Sequence, residues 1–137
     1  MSDRPSILVV DDAPLNQELI SAYLSHLDCD VELASNGTEA MAAVERSKPV
    51  LVLLDVMMPG MNGYEICQQL KSRDDTRDVP VLLLTALSDA DHRARGAAAG
   101  ADDFIVKPVS REELVERVLN AIGPPPESQE HPPADSV

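Results

Sequence analysis

Three short apolar runs, residues 7–10, 50–54 and 81–84, punctuate the chain and do not alternate with polar positions. Unbroken Val/Ile/Leu runs of four or five residues predict strands covered on both faces, as in a parallel sheet packed between helices. Two weaker runs, 31–35 and 104–106, predict outer strands, and the alternation of Val31, Glu32 and Leu33 fits a half-exposed edge. Helical patterns fill the gaps. Leu15, Leu19, Tyr23, Leu24 and Leu27 recur at three-to-four spacing behind Pro14, a favourable first-turn residue. Residues 37–47 carry Ala40 and Val44, residues 64–71 carry Ile66 and Leu70, and 89–99 is helical mainly through its alanines, with no large apolar anchor. Ser110 and Glu113 form a capping box ahead of Leu114, Val118, Leu119 and Ile122. Strands alternating with helices five times predict right-handed crossovers and a doubly wound α/β sandwich with a five-stranded parallel sheet.

Gly123 and the run Pro124-Pro125-Pro126 stop the last helix, so the folded unit is expected to span residues 5–123. Residues 124–137 are rich in Pro, Glu and Ser and are expected to form a disordered tail.

Charge narrows the function classes. Eleven Lys+Arg against 24 Asp+Glu give 137 residues a formal net charge of −13. Nucleic-acid binding draws on phosphate neutralisation, which this field opposes, and Tyr23, Tyr64 and Phe104 offer few stacking platforms. No direct nucleic-acid partner is expected. No apolar run approaches the ~20 residues of a membrane span, and Ser2-Asp3-Arg4-Pro5 leads straight into the first strand without a signal peptide. Cys29 and Cys67 match no zinc or redox spacing. Reduced thiols and a cytoplasmic location are the expectation.

The residues that follow the apolar runs carry the chemistry. The first run ends in Asp11-Asp12, the second in Asp55, the third in Thr85 and the last strand in Lys107. Ligands of open α/β sheets bind at the carboxyl edge where strand order reverses. In the flavodoxin-like order 2-1-3-4-5 that reversal lies between the first and third strands, and Asp11, Asp12 and Asp55 share one pocket. A single acidic residue after a strand is commonly a helix cap, and Asp12 before Ala13-Pro14 fits that role too. Three carboxylates, a hydroxyl and an ammonium at equivalent strand ends are not explained by capping.

Two carboxylates ~6 Å apart repel by roughly 3 kcal/mol at an effective dielectric near 20. Lys107 relieves part of this, and a hard divalent cation with oxygen ligands relieves the rest: Mg²⁺, with Mn²⁺ able to substitute. A carboxylate is ionised at neutral pH and needs no general base to attack phosphorus. An ammonium, a hydroxyl and a cation beside it stabilise the transferring oxygens, and the product is an acyl phosphate.

These segments resemble the receiver (CheY-like) domain of bacterial two-component response regulators over about residues 6–122. The motifs are Leu8-Val9-Val10-Asp11-Asp12, Leu53-Leu54-Asp55-Val56-Met57-Met58-Pro59-Gly60-Met61-Asn62-Gly63, Leu84-Thr85-Ala86, and Gly100-Ala101-Asp102-Asp103-Phe104-Ile105-Val106-Lys107-Pro108. The resemblance implies that Asp55 accepts phosphate from a sensor histidine kinase or phosphotransfer protein. Asp12, Asp55 and the Met57 backbone carbonyl would ligate Mg²⁺, with Asp11 acting mainly through water. Lys107, Thr85 and the Ala86 N–H would hold the phosphoryl group. Thr85 and Phe104 would form the switch that remodels the fourth helix, fifth strand and fifth helix for a downstream protein partner or a homodimer. The chain would be a phosphoacceptor that assists its own phosphorylation and dephosphorylation rather than an enzyme. Met57 and Leu87 are apolar and cannot orient water, which predicts a slowly decaying phosphate.

Three other readings share parts of this pattern. An Asp-nucleophile phosphatase would ordinarily carry a second Asp where Met57 stands. A flavodoxin-type FMN protein needs a phosphate loop where Asp11-Asp12 would repel it. A non-phosphorylated adaptor receiver keeps the architecture without the chemistry.

Overall fold

The computed structural model describes residues 5–56, 63–85, 90–107 and 109–122, with backbone alone at 90–93. Five strands and five helices alternate along these residues: β1 (Ser6–Val10), α1 (Pro14–Leu24), β2 (Asp30–Ala34), α2 (Gly37–Ser47), β3 (Leu51–Asp55), α3 (Gly63–Lys71), β4 (Val81–Thr85), α4 (Ala90–Ala98), β5 (Asp103–Val106) and α5 (Arg111–Ile122). The strands form one parallel sheet in the order β2-β1-β3-β4-β5, as the sequence predicts. Val50, 38% exposed, falls outside β3, and every residue of β3 and β4 is buried.

The strands divide their side chains between two cores. Leu8, Val10, Val52, Leu54, Val81 and Leu83 face α2 and α3. Ile7, Val9, Leu51, Leu53, Leu82, Leu84 and Ile105 face α1 and α5. Burial on both faces makes the central runs unbroken rather than alternating. Each fully buried Leu or Ile contributes on the order of 1.5–3 kcal/mol of hydrophobic transfer energy.

The helix ends match local sequence signals. The Ser110 hydroxyl accepts the Glu113 N–H at 3.1 Å, one half of the anticipated capping box. Asn36 caps α2 by accepting the Glu39 N–H at 2.8 Å. The apolar stripe on α1 departs from expectation: Ile20 and Leu24 enter the core, whereas Leu15 is 77% and Leu19 46% exposed. α1 begins three residues beyond Asp11, and Leu19 lines the cleft beside Asp11 rather than the core. The expected tail, residues 124–137, and Gly123 before it lie outside the described residues. No described helix is long and apolar enough to cross a membrane.

Cys67 on α3 is buried, and its thiol donates to the Ala99 carbonyl at 3.4 Å. Burial pushes this thiol from its ordinary 9.0 up to about 11, with the nearby Lys71 charge opposing the rise. Below pH 9 both folded and unfolded chains keep the thiol protonated. Between 9 and 11 only the unfolded chain releases the proton, so this group's contribution to stability is lost through that window. Urea melts are expected to show the decline, and Cys67→Ala is expected to flatten it. Native Cys67 is expected to resist iodoacetamide at pH 8, read by intact mass.

Candidate functional site

The carboxyl edge of the sheet gathers the acidic residues. Asp11 leaves β1 and donates its backbone N–H to the Ala34 carbonyl at 3.0 Å, which fixes it between β1 and β2. Gln17 strengthens this corner from α1. Its side-chain amide donates to the Asp11 carbonyl at 2.6 Å, to the Ala34 carbonyl at 3.3 Å and to the Ser35 hydroxyl at 3.2 Å. Asp55 ends β3, one strand away, because β1 and β3 are direct neighbours. Asp11, Asp12 and Asp55 each present a carboxylate oxygen, and the three oxygens lie within 4.8 Å of one another. Asp11 and Asp55 are buried; Asp12 is exposed.

Lys107 arrives from β5. Its backbone N–H donates to the Thr85 carbonyl at 2.7 Å, and its ammonium pairs with Asp55 Oδ1 at 3.0 Å. The pair is largely shielded, with the Asp55 side chain 5% and the Lys107 side chain 28% exposed. Thr85 closes β4 and is buried. The structure thus brings Asp11, Asp12, Asp55 and Lys107 together and sets Thr85 beside them through the Lys107 backbone. Met57 and Ala86, as well as Leu87 and Pro108, lie outside the described residues.

Charge balance defines what the cleft accommodates. The buried pair Asp11 and Asp55 repel by roughly 3 kcal/mol at an effective dielectric near 20. One ammonium against three carboxylates leaves an excess negative charge. Asp11 shows the consequence at the atomic level. Its Oδ1 accepts the Ala13 N–H at 2.9 Å, while its buried Oδ2 makes no hydrogen bond among the described residues. A buried carboxylate oxygen left unpaired costs about 1–3 kcal/mol or more, and a cation or its bound water would satisfy it. An all-oxygen acidic donor set fits Mg²⁺. Beside the acidic corner, Asn16, Leu19, Ile20 and Tyr23 of α1 line one wall of a cleft of about 250 Å³ that reaches Asp11 and Lys107.

Two contributors escaped the sequence reading. Gln17 gives no signal of its own, because two of its three acceptors are backbone carbonyls and they lie on segments distant in sequence from each other. Gly63 sits at the start of α3, where a Cβ would lie 2.8 Å from Val56 Cα and 3.0 Å from the Asp55 carbonyl carbon. Its N–H donates to the Val56 carbonyl at 3.0 Å. The close approach of α3 to the backbone of the acidic strand end therefore depends on a missing side chain.

The comparisons agree with this geometry. The chain is 45% identical over 112 residues to the response regulator MprA of Mycobacterium leprae, covering 82% of this chain and 48% of the relative. It spans about half the length of such curated relatives. Among solved structures, a putative response regulator from Chloroflexus aurantiacus superimposes with a TM-score of 0.84 at 32% identity, covering 89% of this chain and all of the other. The receiver domain of the sensor histidine kinase PA1611 from Pseudomonas aeruginosa, with magnesium coordinated in its active-site cleft, gives 0.80 at 32% identity. It covers 88% of this chain and 99% of the neighbour. Residues 7–119 match the response regulator receiver domain, and the chain belongs to that family.

Proposed function

We propose that this receiver takes a phosphoryl group onto Asp55 from the phosphohistidine of a sensor kinase or phosphotransfer protein. The observation that carries the reading is the convergence of three strand-end carboxylates within 4.8 Å, with Lys107 held on Asp55. Asp55 attacks phosphorus through a carboxylate oxygen. The new O–P bond forms as the donor's N–P bond breaks, and the departing imidazole takes up a proton. The Lys107 ammonium, free to follow the Asp55 oxygen it pairs with, neutralises charge on the transferring oxygens. The Thr85 hydroxyl stands at the next strand end to bind the same group. Asp12, Asp55 and the Met57 carbonyl would hold Mg²⁺, with Asp11 acting mainly through water. When bound, the cation supplies Lewis-acid stabilisation of the phosphoryl oxygens.

Phosphorylation then alters the surface of α4, β5 and α5, with Thr85 and Phe104 as the moving parts, and so controls binding of a partner protein or a second copy of the chain. The resulting role is that of a signalling phosphoacceptor that assists its own phosphorylation and dephosphorylation, placed between a kinase and an output protein.

Two measurements test this. Millimolar Mg²⁺ is expected to raise the melting temperature, and Asp12→Ala is expected to abolish the rise. Incubation with acetyl phosphate and Mg²⁺ is expected to add one phosphoryl group, located on Asp55 by borohydride trapping. An unlabelled chain that still binds Mg²⁺ would make it a non-phosphorylated adaptor, and continuous hydrolysis of p-nitrophenyl phosphate would make it a phosphatase.

A further inference from the structure

Phe104 pairs with Leu83 in the β4–β5 register and lies partly buried against the α2/α3 side of the core. Its ring reaches α4 at Gly96, a buried position inside the helix. A Cβ built there would overlap the ring edge at Cε2, lie 2.6 Å from Cζ and sit 2.9 Å from Leu83 Cδ1. Glycine inside a helix costs stability relative to alanine, so a glycine here has a price that packing must justify.

The backbones on both sides of this contact are anchored. The Gly96 carbonyl accepts the Ala101 N–H at 3.0 Å, and the Ala97 carbonyl accepts the Gly100 N–H at 3.0 Å. With Gly100 at φ +95°, this is a Schellman closure of α4. The helix is also tied to α3, where the Arg95 guanidinium lies 4.6 Å from the Tyr64 ring centroid. Across the gap, the Phe104 carbonyl accepts from Arg117 at 2.7 Å, and Arg117 also pairs with Asp103 at 2.8 Å. With strand and helix end both held, crowding at position 96 falls on the Phe104 ring.

We propose that Gly96 is a positioning residue, the notch that seats the Phe104 ring against α4 and thereby sets the resting state of the switch. The regulatory half of this rests on the reading of Phe104 as a moving part of the switch; the seat itself rests on packing alone. A Cβ at position 96 evicts the ring while leaving Asp55 and its neighbours untouched.

The seat is tested by a reversal of sign. Gly96→Ala is expected to lower the melting temperature by about 4 °C, because the overlap outweighs the gain in helix propensity. Phe104→Leu removes Cε2 and Cζ. In that background the new methyl meets only Leu83 Cδ1, the end of a side chain that can turn aside, and Gly96→Ala is expected to raise the melting temperature by about 1 °C. A rise in both backgrounds overturns the seat. The ring is followed directly, since Phe104 is the one phenylalanine in the chain and 4-fluorophenylalanine gives a single ¹⁹F resonance. Gly96→Ala is expected to move this resonance toward its position in the urea-denatured chain; an unmoved resonance also overturns the seat. Mg²⁺ with beryllofluoride is expected to shift the wild-type resonance and to shift that of Gly96→Ala less than half as far. Acetyl phosphate labelling of the two chains is expected to agree within twofold. A wild-type resonance indifferent to beryllofluoride, in a chain that still labels at Asp55, overturns the regulatory half and leaves Gly96 a packing residue only.

Discussion

Asp55→Asn is expected to accept no phosphoryl group and yet to melt above the wild-type chain when divalent cations are removed. The first outcome follows from chemistry: an amide oxygen is too poor a nucleophile to replace the carboxylate. The second follows from the sum of charges. Asp55 is attracted by Lys107 at 3.0 Å and repelled by Asp11 and Asp12, whose oxygens lie within 4.8 Å. At an effective dielectric near 20 the attraction is roughly 5 kcal/mol and the repulsion from buried Asp11 roughly 3 kcal/mol, with a smaller share from exposed Asp12. The Coulomb terms therefore nearly cancel, and hydration and hydrogen bonding decide the sign. Asn removes the desolvation penalty of a buried anion, keeps an oxygen for the Lys107 ammonium, and leaves that ammonium facing Asp11 across the same cleft. A net gain of about 1 kcal/mol corresponds to roughly 4 °C. In millimolar Mg²⁺ the order is expected to invert, because the wild type gains more from the cation. Melts in chelator and in Mg²⁺, with intact mass after acetyl phosphate, check all three statements. A variant that melts below wild type in chelator would show that the Lys107 pair outweighs the acidic repulsion.

The parts of this fold that depend on two-sided burial were legible from residue order. The runs in β1, β3 and β4 have no polar interruption because helices cover both faces, and the reactive residue follows wherever the run stops. Asp11, Asp55 and Lys107 were therefore found by reading one position beyond each apolar run, and Asp12 by reading one further. The α1 stripe misled for the opposite reason: Leu15 and Leu19 keep helical spacing but are exposed, Leu19 on the wall of the cleft beside Asp11, while Ile20 and Leu24 enter the core. Periodicity reports which side chains share a face and is silent on whether a strand lies beneath them. The glycines were harder still. Gly63 and Gly96 act through atoms they lack, and which neighbour would occupy that space is known only once α3 lies on the β3 strand end and α4 lies on Phe104. Two of Gln17's three acceptors are backbone carbonyls, which leave no mark in a sequence.

Those two glycines also predict unequal consequences, and the larger falls at the site. Gly63→Ala places a methyl group against the Asp55 carbonyl oxygen, 2.8 Å from Val56 Cα and 3.0 Å from the Asp55 carbonyl carbon. All three atoms are backbone, and the Asp55 and Val56 backbones are fixed by the β3–β4 pairing and by the Val56 N–H to the Leu84 carbonyl at 3.1 Å. At Gly96 the nearest obstruction is a ring that can rotate away. At Gly63 nothing yields short of moving α3 off the sheet, which strains the contacts of Ile66 and Leu70 with the core. The expected loss is about 3 kcal/mol, at the upper end for overpacking, or roughly 10 °C in melting temperature. The same displacement tilts the end of β3, so the rate of Asp55 labelling by acetyl phosphate is expected to fall at least tenfold even where the variant remains folded. Gln68→Ala, five residues along α3 and exposed, serves as the control, with melting and labelling both expected near wild type. If Gly63→Ala melts and labels like that control, α3 has room to retreat and the fit between helix and phosphoacceptor strand is looser than these distances require.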